Sequence, residues 1–300
     1  MSAFSILPKI PTLFSRCFLN FKHKPLLASF KLTYRCNLRC QQCPFYAMES
    51  PDPTFEQAKA VLDNLYKRGS RMVVMEGGEP LLWHDRDHTI HELVIYARQK
   101  FFSVGMTTNG TLPLDVPTDV LWVSIDGLRE THNQLRNVEI FDRIITNIKA
   151  SNHPKLFAHI TINKVNAAEI PDLLQFLQTL VRGITVQFYY PYKRQDALFL
   201  DFDQRELLLT EIIKMKRQGV PILNSVPALQ ALKRNTWRCY DNLIDNANPD
   251  GSVSQGCYLR GRSDIDCARC GFSPHTEISL ACRANLRSAW AGLKIFYLPA

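Results

Sequence analysis

The sequence predicts an α/β fold: a partial (β/α)6 barrel of parallel strands followed by a small cysteine-rich C-terminal subdomain. Three observations lead there. Strand-like and helix-like segments alternate from residue 28 to residue 190. The links between the strand candidates are long enough to hold helices, as parallel pairing requires. The nine cysteines, Cys17 apart, fall into one group just after the first strand and another beyond residue 231.

The first strand candidate is ASFKLTY (28–34), and TFEQAKAVLDNLYKRG (54–69) reads as a helix stopped at Gly69. RMVVMEG (71–77) is a short buried strand, followed by a helix over 88–100. FSVGMTTNG (102–110) and DVLWVSIDG (119–127) are strands closed by turn residues. A helix over 138–150, a strand at 156–162, a helix over 167–182 and a strand at 184–190 complete the alternation. Each polar motif falls at a strand's carboxyl end, where barrels collect their chemistry. A helix over 203–218 then leads to a boundary near 225 to 235. The expected organisation is an N-terminal segment 1–27, a barrel 28–230 and a C-terminal segment 231–300.

Hydrophobic residues make up 46% and charged residues 21% of the 300 positions, the proportions of a globular chain. The net charge of +8 is concentrated at the ends: seven basic and no acidic residues in 1–40, three basic and no acidic residues in 278–300. A nucleic-acid binder more often spreads a basic stripe over its surface, so none is expected as partner. In the N-terminal segment, helical spacing puts Phe14, Phe18 and Phe21 on one face and Arg16, Asn20 and Lys24 on another. Such a helix either packs on the domain or lies in an anionic membrane interface. Lys9, Pro11 and Arg16 break the apolar run a signal peptide needs. The expectation is a cytoplasmic chain, peripheral on the inner membrane surface if the segment binds lipid, with its thiols reduced.

Cys36, Cys40 and Cys43 form C-x3-C-x2-C. Zinc sites more often pair two C-x2-C units into four ligands, whereas three thiolates on one loop suit a 4Fe–4S cluster with one iron open. On this motif the chain resembles the radical SAM superfamily, which carries it on the loop after the first barrel strand. The resemblance covers residues 28 to about 275 and implies a barrel fold with a 4Fe–4S cluster held by Cys36, Cys40 and Cys43, the catalytic residues. It also implies S-adenosylmethionine bound at the open iron and cleaved reductively to a hydrogen-abstracting 5′-deoxyadenosyl radical. An external donor such as flavodoxin or ferredoxin would supply the electron.

The resemblance extends to other motifs. Gly77, Gly78, Glu79 and Pro80 match the family's stretch that receives the amino group of S-adenosylmethionine, with glycines admitting close backbone approach. Thr108 and Asn109 match the third strand end; Ser124 and Asp126 match the fourth and are candidate ribose contacts. Arg136 matches the arginine that clamps the carboxylate, with the bidentate fork suited to it. Asn166 follows the fifth strand, and Phe188 is placed near the adenine. Family members often carry an aromatic residue before the third cysteine. Here it is Gln42, and Phe45 and Tyr46 stand beyond as substitutes.

The second group, Cys239, Cys257, Cys267 and Cys270, surrounds NPDGSV, a turn between two short strands. It resembles the twitch or SPASM extension of radical SAM proteins. Its five cysteines, Cys282 included, suffice for one auxiliary 4Fe–4S cluster and not two; a zinc site on the same four is the rival. Cys17 reads as an idle thiol, and His84, His88 and His91 as a solvated helical face. Tyr189, Tyr190 and Tyr192 pack the core or border the substrate. The aromatic ends favour a lipid, isoprenoid or other membrane-associated substrate. The alternatives are a ribosomal peptide or protein, or a non-catalytic iron–sulfur electron carrier.

Overall fold

Alternate residues of each strand face opposite sides of a sheet, and here the two sides differ in chemistry. The computed structural model describes residues 24–192, 196–259 and 266–298. Its sheet strands are β1 (Leu27–Thr33), β2 (Met72–Gly77), β3 (Ser103–Thr108), β4 (Val120–Ser124), β5 (Leu156–Ile162), β6 (Gly183–Phe188), β7 (Ile244–Ala247) and β8 (Val253–Gln255). They lie in the order β8-β7-β1-β2-β3-β4-β5-β6. All neighbours pair parallel except β7 and β8, the hairpin around Pro249–Gly251. This is the mostly parallel sheet the alternation predicts. The cysteine-rich C-terminal segment adds its hairpin to the same sheet, β7 pairing with β1 from Leu27↔Ile244 to Phe30↔Ala247.

One side of the sheet, with Phe30, Leu32, Val73, Met75, Val104, Met106, Leu121, Val123, Ile160 and Val186, is buried under helices. These include α1 (Phe55–Arg68), α2 (Ile90–Lys100), α4 (Phe141–Ala150), α5 (Ile170–Leu177) and α6 (Phe202–Arg217). Thr54 and Thr89 begin α1 and α2 with capping boxes, and Gly69 ends α1 at φ 133°, a conformation that favours glycine. The opposite, concave side is apolar only near the strand N-termini. There Val120, Trp122 and Phe157 meet Ile295 and Phe296 of α9 (Leu286–Phe296). The C-terminal helix thus floors the barrel, and farther up the concave side turns polar with Lys31, Glu76, His159 and Gln187.

Several elements depart from expectation. His84 and His88 lie on a two-residue hairpin rather than a helix, because Arg86 takes φ 51° between them. They are exposed, as a solvated face would be, and His88 stacks on Phe55 at 4.0 Å. The polar stretch 129–136 forms α3 (Arg129–Arg136), ended by Asn137 in the left-handed region. The helix expected over 167–182 is a 3-10 turn at Ala167–Glu169 followed by α5. Two further helices, α7 (Val226–Lys233) and α8 (Ser273–Ala281), come from segments without a clear apolar period. Cys17 and the Phe14–Phe21 face lie outside the described residues.

Candidate active site

The loop leaving β1 carries the three thiols. Cys40 is buried, and Cys36 and Cys43 are partly so. They are close enough that ionising one disfavours the others. Donors are aimed at sulfur: Leu38 N at 3.4 Å and Asn109 Nδ2 at 3.8 Å from Cys36, and Arg136 Nη1 at 3.6 Å from Cys40. Burial raises the Cys36 thiol and pushes Cys43 to about 11; a bound cation reverses that preference by holding the thiolate. Among the described residues no three His, Cys, Asp or Glu side chains converge on the position of a single metal ion.

Two neighbouring strand ends brace this loop. Gly78 N donates to Thr33 O at 2.7 Å and Glu79 N to Arg35 O at 2.8 Å. A Cβ on Gly78 would collide with the Arg35 carbonyl, and one on Gly77, at φ 125°, with that of Thr33. Both glycines are therefore required first by protein backbone. Glu79 is fully buried, and its carboxylate accepts from Asn109 N at 2.7 Å, Thr108 Oγ1 at 2.9 Å and Leu81 N at 3.1 Å. Burial raises it to about 6 against the pull of those donors. Its oxygens tie the end of β2 to the end of β3. Asn109 then holds Asn37 of the cysteine loop through Nδ2 at 2.7 Å.

The fourth strand end supplies the charges. Asp126 accepts from Arg136 Nη2 at 2.6 Å, Gln42 Nε2 at 2.7 Å and Thr161 N at 2.9 Å. Burial works against the charge of Arg136, yet Asp126 and Cys40 hold the guanidinium protonated, above its ordinary value. With its carboxylate so engaged, Asp126 holds Arg136, Gln42 and β5 together. Asn166 is spent likewise, donating to the Asp126 and Thr161 carbonyls at 2.6 and 3.0 Å and accepting from Asn163 N at 2.8 Å. Ser124 sits half-buried at the end of β4, and Phe188 turns into the helix-covered core, 4.3 Å beneath the Arg205 guanidinium. Two buried polar atoms beside the thiols have no partner, Arg136 Nε and Gln42 Oε1. One offers a proton and the other accepts one, so a ligand with both carboxylate and ammonium groups would satisfy them.

Residues 30–177 match the Radical SAM superfamily. The chain carries a radical SAM domain. It is 31% identical over 171 residues to the Fe-coproporphyrin III synthase of Methanosarcina barkeri, a match spanning 52% of this chain and 42% of that protein. It is 29% identical over 173 residues to the subtilosin biosynthesis protein AlbA of Bacillus subtilis, covering 52% of this chain and 37% of AlbA. The matches thus span about two-fifths of these relatives' length. Streptococcus suis SuiB bound to S-adenosylmethionine has a similar fold, with TM-score 0.66 at 15% identity over 89% of this chain and 66% of SuiB. So does anSMEcpe with bound AdoMet and a Cp18Cys peptide, with TM-score 0.61 at 14% identity over 91% of this chain and 82% of that one. Radical SAM proteins use a 4Fe–4S cluster and S-adenosylmethionine, and the cysteine loop with its two unpartnered atoms fits both.

Beside the radical SAM loop, the structure brings Cys239, Cys257, Cys267 and Cys270 together. Burial pushes Cys239 to about 12 and Cys270 to about 11 and raises Cys257, and neighbouring thiols add to each shift. Cys282 is buried at the C-terminal cap of α8. Sequence reasoning missed three residues here. His275, lowered to about 4 by burial, puts Nδ1 3.7 Å from Cys239 Sγ. Tyr258, next to Cys257, packs 6.1 Å from Phe45, two residues past Cys43, and so joins the two cysteine groups. Lys31 lies 4.9 Å over the Tyr258 ring and pairs with Glu76 at 3.0 Å. A lysine within an apolar strand was the signal available for the last. Phe45 itself stacks on Tyr34 at 6.0 Å. Of the three tyrosines after β6, Tyr192 meets Tyr258 hydroxyl to hydroxyl at 2.8 Å, Tyr190 accepts from Asp266 N, and Tyr189 donates to Asp196. They wall the cysteine-rich segment against the barrel.

Proposed function

We propose that this chain is a radical SAM enzyme that removes hydrogen from an unactivated C–H bond of a polar substrate. The observation that carries it is the buried, unpartnered Nε of Arg136 next to Cys40 on a three-cysteine loop. When bound, the cluster and S-adenosylmethionine supply the electron and the hydrogen-abstracting species; the protein binds, aims and shields. Cys36, Cys40 and Cys43 hold the cluster. Arg136 Nε receives the methionyl carboxylate and Gln42 Oε1 the amino group. Gly77 to Pro80 and Thr108–Asn109 set the wall beside them, and Ser124 faces the ribose. Asp126, Glu79 and Asn166 act by positioning. Cys239, Cys257, Cys267 and Cys270 hold a twitch-like auxiliary 4Fe–4S cluster, and a flavodoxin- or ferredoxin-type protein delivers the electron.

The substrate reading follows from the concave side of the sheet. Glu76, His159, Thr161 and Gln187 offer hydrogen bonds where an isoprenoid would need apolar contact. Lys31 is already matched by Glu76, so these strands hold no spare cation for the carboxylates of a porphyrin. A peptide, whose amides both donate and accept, suits them better. The bacteriocin biosynthesis protein AlbA and the SuiB structure bound to precursor peptide SuiA support this order.

The test is anaerobic reconstitution with iron and sulfide, then dithionite and S-adenosylmethionine. 5′-Deoxyadenosine formed by the wild type and lost in Arg136→Met supports the reading. An intact cluster that never cleaves S-adenosylmethionine makes the chain an electron carrier instead. Stimulation by isoprenoids and not by peptides would reverse the substrate order.

A further inference from the structure

The end of the barrel opposite the cysteine loop presents a face that the chemistry above leaves unused. Helix α9 floors the barrel with Ile295 and Phe296, while its outer side shows Leu286 at 70% and Trp290 at 51% exposure. These two and Lys294 are spaced four apart and share one line along the helix. Arg283, Arg287 and Lys294 are exposed around them, and among the described residues none of the three is paired with a carboxylate. No acidic residue occurs from 278 to 300.

The first described residues reach the same end of the barrel. Leu26, at the start of β1, packs with Tyr297, Leu293 and Phe296. The described chain begins at Lys24, directly beside this cluster. The stretch before it carries Lys9, Arg16 and Lys22 and no acid. Lys24, exposed at the start of the described residues, therefore adds a basic group near the floor.

We propose that the outer face of α9, centred on Leu286 and Trp290 and ringed by Arg283, Arg287 and Lys294, docks this protein on an anionic lipid surface. Tryptophan suits the depth of the headgroups, leucine the acyl boundary, and the basic ring the negative surface potential. An anionic bilayer complements three exposed cations that, among the described residues, no carboxylate pairs, set around an exposed leucine and tryptophan on an acid-free stretch. Docked this way, the cysteine loop at the carboxyl ends of the strands stands roughly 20 Å from the lipid, a strand's length away. The barrel mouth then opens to water, in keeping with a polar substrate.

The experiment is flotation of the full chain with vesicles of mixed phosphatidylglycerol and phosphatidylcholine, and with phosphatidylcholine alone. The expected result is flotation with the anionic vesicles only, reversed by added salt. Leu286→Ser with Trp290→Ser should abolish most of it. Arg287→Gln and Lys294→Gln should each weaken it about fivefold. All four positions are exposed, and an unchanged melting temperature will verify that the variants fold. Failure of the wild type to float overturns the proposal, as does undiminished flotation of the quadruple variant, which would assign binding to residues before Lys24. A wild-type dimer that the same substitutions make monomeric, with no lipid binding, also overturns it and makes the face a contact between copies.

Discussion

Arg136 Nη2 lies 2.6 Å from Asp126 Oδ2 in a pair that is almost wholly buried. The carboxylate also takes N–H groups from Gln42 and Thr161, so three segments of the site hang on one side chain. Removing it leaves a largely buried guanidinium without its carboxylate. Asp126→Ala should cost about 3–5 kcal/mol, the usual range for breaking a buried pair. Urea unfolding measures it. Asp126→Asn, which keeps the shape and one acceptor, should cost less; equal losses for the two would mean that the charge carries the whole effect and the remaining acceptor none of it.

The Gly78 backbone rests against the carbonyl of Arg35, the residue before the first loop cysteine. Gly78→Ala forces that loop to move, and a close-packed contact of this kind typically costs about 1–3 kcal/mol. Because the displacement falls on the loop, iron bound per chain after reconstitution should drop more sharply than melting temperature. Gly292→Ala is the control. It lies within α9 with open space where the methyl would sit, and should stabilise by about 0.5–1 kcal/mol.

What could be read from the sequence divides along physical lines. The parallel strands were legible because strands buried on the helix side, such as MVVMEG and LFAHITI, are near-continuous apolar runs. The cysteine loop was legible because its ligand spacing is local. The roles of Asp126, Glu79 and Asn166 were not, since each takes at least one partner from 30 or more residues away, such as Asn109 N for Glu79. In the same way, α7 and α8 pack on each other and on their neighbours, so much of their stability is tertiary and their sequences show little period. Lys31 was hidden by its position, because its partners Glu76 and Asn246 lie on two different neighbouring strands.

If each cysteine group holds one cubane, Cys36→Ala, Cys40→Ala and Cys43→Ala together should lose about half the iron, and the matching set at Cys239, Cys257, Cys267 and Cys270 the other half. The first set should abolish 5′-deoxyadenosine formation. Metal analysis with iron and zinc counted together checks this. A wild type holding one zinc at the second group would leave all its iron with the first set and refute the auxiliary cluster.

Glu277 provides a pH test at the junction of α8 and α7. Its carboxylate accepts from Ser225 N at 2.6 Å and Ser225 Oγ at 2.8 Å, tying α8 to the start of α7, and burial raises it to about 7. An acid raised on folding keeps its proton in the folded state while the unfolded chain has released it. Its contribution is therefore fully present below the unfolded value, about 4.5, and is lost as pH rises through about 7. Glu277→Gln stays neutral throughout and keeps an acceptor for Ser225. Relative to wild type the variant should therefore gain stability on going from pH 5 to pH 8, by up to about 3 kcal/mol. The comparison must be of differences, because burial lowers His132 and His275 and makes the wild type lose stability in acid for an opposing reason. Urea unfolding of both proteins across that range decides it: a constant difference would mean that Glu277 is charged in the folded protein at neutral pH.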